Sequence, residues 1–349
     1  MVRSLEWDDS SCTLQLLDQR LLPAQVEMVT CENYTKVSTA IQNMTVRGAP
    51  VIGAAAAFGM ALAACQSSQT TTEGLRADLK KAADVLIASR PTAVNLAWAV
   101  QRMLKKASVP ASTADDLTQL MIAEAKLIAQ EDVETNRRMA EFGAALIEDG
   151  DTIIHHCNTG SLATVDWGTA LGAIRMAHEQ GKNIHVLVDE TRPRLQGARL
   201  TAWELDQYQI PYHIITDNMS GHFLRSGMVK KVFYGADRVA ANGDVCNKIG
   251  TYMLSLAAKT SGVPVYAVFP TTTVDLNLKS GDLIPIEERD QEEVLGIEVN
   301  GQRVTPQGAK AFNPAFDVTP NHLITALVTE NGVIYPPFDI NLPRAVEDF

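Results

Sequence analysis

Five short apolar runs in the second half of the chain each end in residues that could do chemistry. Thr152-Ile-Ile-His-His leads into Cys157-Asn-Thr-Gly-Ser, and Ile184-His-Val-Leu-Val into Asp189-Glu-Thr-Arg. His213-Ile-Ile leads into Thr216-Asp-Asn, Val232-Phe-Tyr into Gly235-Ala-Asp-Arg, and Val265-Tyr-Ala-Val-Phe into Pro270-Thr-Thr-Thr. Chance would explain one or two polar ends; five together indicate a substrate crevice. Cys157, at a strand end, is either an ionisable thiol or a small buried hydrophobe. Asp237 follows two small residues, Gly235 and Ala236, which leave room for a ligand. It can serve as a proton donor, or it can pair with Arg238. Lys248 near a strand mouth either meets a phosphate or is solvated. The turn Asn158-Thr-Gly-Ser161 is read as opening a helix, where free N–H groups favour an anion. No Walker loop and no G-x-G-x-x-G after a strand occurs. The seven histidines show no metal-binding spacing, and His155 and His156 point to opposite faces of a strand. No metal site is expected.

The apolar runs are rich in β-branched and aromatic residues and recur at βαβ spacing, which predicts a doubly wound, mostly parallel, Rossmann-like α/β sheet. In such a sheet ligands bind outside the carboxyl ends of the strands. The first part of the chain reads as a smaller, mainly helical domain with a short antiparallel sheet. The boundaries expected are 1–130 and 131–349. Thr13-Leu-Gln-Leu-Leu and Leu21-Leu-Pro read as a small hairpin around Asp18-Gln-Arg, and Val37, Ile41 and Met44 recur at helical spacing. Pro50 fits the first turn of a helix. Ser112 and Thr113, each with an Asp three residues on, predict a capped helix running to about Ile147. A last helix is expected from Thr319 to Gly332. The acidic stretch Ser280 to Gly308 is expected to be a solvated excursion.

Composition narrows the function classes. With 30 basic and 41 acidic residues among 349, the net charge of −11 argues against a nucleic-acid binder. Five scattered cysteines without a C-x-x-C argue for a reducing compartment. Gly48 to Cys65 carries no charge, but its alanines and glycines make it a buried helix rather than a membrane span. A cytoplasmic protein that touches neither membrane nor nucleic acid is the expectation.

Several motifs occur together and in order. They are Arg47-Gly-Ala-Pro-Val-Ile-Gly53, His156-Cys-Asn-Thr-Gly160, Glu190-Thr-Arg-Pro-Arg-Leu-Gln-Gly-Ala-Arg-Leu-Thr201, Gly235-Ala-Asp-Arg238, Asn242-Gly-Asp-Val-Cys-Asn-Lys-Ile-Gly-Thr251 and Asn313-Pro-Ala-Phe-Asp-Val-Thr-Pro320. In combination they closely resemble the methylthioribose-1-phosphate isomerases of methionine salvage. Relatives of that family are ribose-1,5-bisphosphate isomerase and regulatory subunits of a translation factor's nucleotide-exchange complex. The resemblance implies an aldose–ketose isomerase without metal or cofactor, acting on a small sugar phosphate; a homodimer is expected. By resemblance, Asp237 is the proton donor and Cys157 the proton shuttle or transition-state stabiliser. Substrate contacts fall on Arg47, Gly48, Ala49, Arg90, Gln196, Asn247 and Lys248. The alternatives are the bisphosphate isomerase and a non-catalytic sugar-phosphate sensor. The uncharged surroundings of Val51, Ile52 and Trp98 favour a thioether over a second phosphate.

Overall fold

Strands β1 (Leu5–Asp8), β2 (Thr13–Leu17) and β3 (Met28–Cys31) form an antiparallel sheet in sequence order in the computed structural model, which describes residues 3–91 and 93–347. Leu14, Leu16 and Leu17 of the central strand are fully buried. The hairpin expected at Leu21-Leu-Pro does not form. Leu21 and Gln25 instead make turn bonds to Asp18 and Leu21, and β3 begins only at Met28. Pro23 has no N–H to give to a ladder.

The chain divides into two compact units. The first takes the chain up to Arg137 together with Gly160–Gly168; the second takes Arg138–Thr159 and the chain from Thr169 onward. Helices α1 (Tyr34–Gln42), α2 (Ala49–Gln66), α3 (Thr72–Ser89) and α4 (Val94–Ala107) follow the small sheet. Each start has a local cause. Asn33 and Thr71 cap α1 and α3 through their side chains, and Pro50 sits in the first turn of α2. Val37 and Ile41 lie on the buried face of α1, but Met44 falls beyond its end with a φ of 62°. Every residue from Val51 to Ala64 is buried, so the uncharged stretch is the core helix of this unit. Its small residues bring neighbours close: a Cβ on Gly53 would stand 3.0 Å from the Asn95 carbonyl oxygen. Helix α5 (Ala114–Ala144) opens on reciprocal bonds between Thr113 and Asp116, at 3.0 and 3.1 Å.

The excursion Gly160–Gly168 is tied into the first unit. Ser4 Oγ donates to the Ser161 carbonyl at 2.7 Å, Gln19 Nε2 to the Leu162 carbonyl at 2.7 Å, and the Val165 N–H to Asp132 Oδ2 at 2.7 Å. Asp132 lies on α5, and burial pushes its carboxyl up to about 7. Asn136 Nδ2 donates to Asp132 Oδ1 at 3.1 Å, whereas Asn136 Oδ1 is buried without a hydrogen-bond partner. Turning that amide over would set the oxygen against a protonated Asp132. An acid whose pKa rises from 3.8 unfolded to about 7 folded holds a proton between those values that the unfolded chain lacks. Stability is therefore lost as pH rises through that window. Asp132→Asn keeps an acceptor for Val165 and carries no such proton. We expect the thermal midpoint of the wild type to fall relative to that of Asp132→Asn between about pH 4 and about pH 7. Parallel midpoints across that range would remove Asp132 as the cause.

In the second unit, strands β4 (Thr152–His155), β5 (His185–Asp189), β6 (Tyr212–Ile215), β7 (Lys231–Tyr234) and β10 (Val265–Val268) are the five apolar runs. Between β7 and β10 lie β8 (Arg238–Ala240) and β9 (Val245–Lys248). After β10 come β11 (Val274–Asp275), β12 (Glu298–Val299), β13 (Gln302–Arg303), β14 (Phe316–Thr319), β15 (Ala326–Thr329) and β16 (Gly332–Ile334). Helices α6 (Ala170–Glu179), α7 (Ala202–Tyr208), α8 (Ser220–Arg225), α9 (Thr251–Thr260), α10 (Glu292–Leu295) and α11 (Phe338–Glu347) connect or follow them. The large sheet has the order β16-β15-β10-β7-β4-β5-β6, parallel except for the β15–β16 pair. From β4 the chain winds outward through β5 and β6, then returns to build β7, β10 and β15 on the other side. The order reverses between β4 and β7. A second sheet, β11-β8-β9-β14, follows directly from β7 through Gly235-Ala-Asp.

The expected helix from Thr319 to Gly332 is wrong. Thr319 ends β14, Pro320 leads into a single 3₁₀ turn at Asn321–Leu323, and Ala326–Thr329 is a fully buried strand. Thr329 pairs with Gly332 across a tight turn to β16. Proline after threonine and a later glycine serve a short turn and a hairpin as well as a helix. The open edge of β10 decides between them, because Ala326-Leu-Val-Thr completes the sheet there.

Candidate active site

Cys157 follows β4 and Asp237 follows β7, so both leave the carboxyl ends of the two strands between which the sheet order reverses. That is the place where an open α/β sheet leaves a crevice. Cys157 has a φ of 68°, a left-handed conformation that costs a non-glycine residue of order 1–3 kcal/mol. Two threonines hold it there. Its N–H donates to Thr191 Oγ1 at 2.9 Å, and its carbonyl accepts from Thr201 Oγ1 at 2.7 Å. Thr191 is fixed in turn, donating to the Asp189 carbonyl at 3.0 Å.

Asp237 is exposed, and its N–H donates to the Cys246 carbonyl of β9 at 2.9 Å. Gly235 makes this path possible. A Cβ there would meet Thr159 Cγ2 at 2.8 Å, so only glycine lets the end of β7 pass the loop after β4. Burial pushes the Cys246 thiol up to about 12, which leaves it a core residue. On β9, Asn247 is buried and donates from Nδ2 to Thr251 Oγ1 at 3.0 Å. Lys248 is 6% exposed and donates to the Ala315 carbonyl at 2.7 Å. Burial draws its amine below the ordinary lysine value and the Arg289 charge adds to this, while Cys157 and Asp237 pull the other way. Cys157, Asp237 and Lys248 therefore share one electrostatic neighbourhood.

Gln196 is buried, and its Oε1 has no hydrogen-bond partner among the described residues. It precedes Gly197, where a Cβ would collide with the Asp189 carbonyl at 1.8 Å, so this loop lies directly on the end of β5. The other expected contacts belong to the first unit. Arg47 precedes Gly48, whose φ of 111° and 2.4 Å virtual Cβ contact with the Ala163 oxygen admit only glycine. Ala49 is the first residue of α2, a helix start without a side-chain cap bond, and Arg90 ends α3.

The turn Asn158–Ser161 does not open a helix as expected. α6 begins at Ala170, after the chain has left the second unit at Thr159 and come back at Thr169. Asn158 Nδ2 is committed to Glu204 Oε1 at 2.7 Å and Thr201 Oγ1 at 3.2 Å. Thr159 Oγ1 accepts from the Leu171 N–H at 3.0 Å. Gly160 and Ser161 belong to the first unit, so this turn is not the N-terminus of α6.

The initiation factor 2 subunit family matches residues 45–336. The chain belongs to this family. A methylthioribose-1-phosphate isomerase of Acetivibrio thermocellus is 52% identical over 332 residues, 95% of this chain and 96% of that one. The crystal structure of 5-methylthioribose 1-phosphate isomerase from Pyrococcus horikoshii OT3 superimposes with a TM-score of 0.93 at 43% identity, covering 100% of this chain and 97% of that one. That of translation initiation factor eIF-2B, subunit delta, from A. fulgidus gives 0.91 at 45% identity, covering 99% and 100%. The family match spans every candidate residue from Arg47 to Lys248.

One cluster within the family region was not singled out from sequence. His156 Nδ1 lies 2.9 Å from Asp189 Oδ2, and its Nε2 donates to the Ile249 carbonyl at 3.0 Å. Burial opposes the imidazolium, but the hydrogen bond and charge of Asp189 outweigh it, so His156 titrates above the ordinary histidine value. The pair joins the end of β4 to the turn after Lys248. With Asp217 these side chains have ligand atoms within 4.8 Å of one another. All are already engaged. Asp217 accepts the Thr191 and Arg192 N–H groups at 2.8 Å each, and Asp189 Oδ1 accepts from Ser220. The cluster braces the loops rather than offering an open coordination site.

Proposed function

We propose that the chain converts 5-methylthioribose 1-phosphate into 5-methylthioribulose 1-phosphate, the aldose–ketose isomerisation of methionine salvage. The observation that carries this reading is a thiol and a carboxyl that leave the carboxyl ends of neighbouring strands at the switch point, with buried Lys248 in electrostatic reach of both. Near full-length relatives that bear the isomerase name support it. The anomeric oxygen of this substrate carries phosphate, so the ring cannot open as a free hemiacetal does. Asp237 supplies a proton to the ring oxygen as the bond from C1 breaks. Hydrogen then leaves C2 and arrives at C1 while the C2 hydroxyl becomes the ketone, with Cys157 handling the C2 side. Substrate and product are isomers, so no external oxidant or reductant enters the balance. Asn247, Lys248 and Gln196 are proposed as substrate contacts, together with Arg47, Gly48, Ala49 and Arg90. A cytoplasmic homodimer is part of the same proposal.

The choice between thioether and second phosphate rests on the first unit. Of the residues expected to favour a thioether, Val51 and Ile52 are core residues with no surface to offer, whereas Trp98 on α4 is 44% exposed, one turn from Val94 at 47%. The cation beside them is spent: Arg102 lies 5.6 Å from the Trp98 ring centre and bonds Glu124 at 2.7 Å and Glu131 at 3.0 Å. Apolar area covered there gains roughly 25 cal/mol per Å², whereas a phosphate would lose its hydration without a free cation. Purified protein, dialysed against EDTA, should turn over methylthioribose 1-phosphate. It should prefer that substrate to ribose 1,5-bisphosphate by more than about tenfold in kcat/KM. Reversed preference in a competition assay would select the bisphosphate isomerase. No turnover of either would select the sensor reading, which the likeness to a translation factor subunit keeps in view.

A further inference from the structure

Most of Ser280–Gly308 is exposed, as its acidic composition suggests, but one of its cations is not. The Arg289 side chain is 10% exposed. Its Nε donates to Glu287 Oε1 at 3.0 Å, and its guanidinium carbon lies 5.5 Å from the centre of the Phe316 ring. Among the described residues, nothing accepts a hydrogen bond from Nη1 or Nη2. A guanidinium is a rigid fork of five N–H donors, so with Nε spent on Glu287 the Nη donors remain for a ligand. Lys248 repeats the pattern. Its Nζ lies 4.4 Å from the centre of the same ring, gives one hydrogen bond to Ala315, and keeps donors to spare. Phe316 and Lys248 are register partners on β14 and β9, so the ring is held where both cations reach it.

Two largely buried cations on one ring repel each other; Glu287 bonds Arg289, and its charge also favours the Lys248 ammonium. Quadrupole attraction to the ring repays part of this. An anion that took the free Nη fork and the free Nζ donors would satisfy both groups at once. Asp237 and Cys157 lie within electrostatic reach of Lys248, which places the anion in the same neighbourhood as these two groups.

We propose that Arg289 is a further substrate-binding residue that completes, with Lys248, an anion subsite for the phosphate of the sugar phosphate. Arg289 holds two oxygens through its fork, and Lys248 acts as a point charge. The identity of the ligand rests on the isomerase reading; the existence of the anion site does not.

Inorganic phosphate is the probe, titrated against the full chain at constant ionic strength in a thermal-shift assay, beside steady-state kinetics. Wild type should be stabilised saturably, and phosphate should compete with substrate. Arg289→Met should weaken phosphate binding by about tenfold or more and raise KM by a similar factor. Arg289→Lys should recover part of both. Phosphate binding and KM equal to wild type in Arg289→Met would overturn the proposal. So would equal loss in both variants with a lowered melting temperature, because that marks a packing role. If Arg289→Met does not fold, Arg289→Lys decides alone: a KM equal to wild type overturns the proposal, and a raised KM at unchanged melting temperature supports it. If wild type turns over no sugar phosphate but phosphate binding still depends on Arg289, the isomerase reading falls and the subsite stands.

Discussion

Asp237→Asn folds with an unchanged melting temperature and loses on the order of 10²–10⁴ in kcat. The stability half of this expectation follows from exposure and shape: Asp237 is at the surface, asparagine is nearly isosteric with it, and the backbone bond to Cys246 is untouched. The activity half follows from chemistry. Asparagine has the same shape and can donate a hydrogen bond, but it cannot release a proton to the ring oxygen as the C1 bond breaks. In the proposed reaction that proton is needed in the transition state rather than for binding, so the loss should fall on kcat, with KM little changed. Steady-state kinetics with a melting curve on the same preparation would measure both. Wild-type kcat in a folded variant would mean that another group opens the ring.

The second large effect is expected from Cys157→Ser, at about 10²–10⁴ in kcat. The bonds to Thr191 and from Thr201 use only the main chain of residue 157, so serine should sit in the same left-handed conformation. What changes is the group at the C2 side. A hydroxyl is far less acidic and less polarisable than a thiol and cannot take up and return a proton at neutral pH as readily. Cys157→Gly adds a useful contrast. Glycine relieves the positive φ, so this variant should melt at or above the wild-type temperature while being inactive. A serine variant as fast as wild type would reduce Cys157 to a space-filling residue.

Much of the second unit is legible in the residues because β-branched runs, buried on both faces in β4, β5, β7 and β10 and half exposed in the edge strand β6, have few other places to go. All five apolar runs are strands, and the polar groups after them lie at the carboxyl ends. The capping pairs at Thr113 and the proline at position 50 act locally, so they too can be read without the fold. The failures share a cause, which is that distant chain decides them. Ala326–Thr329 is a strand because β10 offers it an edge 60 residues upstream. Asn158–Ser161 opens no helix because the nine residues Gly160–Gly168 are drawn into the other unit by Ser4, Gln19 and Asp132. Arg289 hides among acidic neighbours, and only the arrival of Phe316 beneath it marks it as buried. Arg47, Arg90 and Gln196 have ordinary local contexts. They come into view through resemblance, and Gln196 also through its unpartnered oxygen.

The excursion from Thr159 to Thr169 also governs the order in which the chain can fold as it is made. The first unit needs Gly160–Gly168 to finish its core, since Val165 packs there and its N–H is bound by Asp132. A nascent chain that has emerged only to Arg137 has all of its early helices but lacks that piece. By the time Gly168 is out of the ribosome, β4 of the second unit already precedes it in the chain. Neither unit can therefore be completed and set aside before the other has begun, and no single cut yields two whole halves.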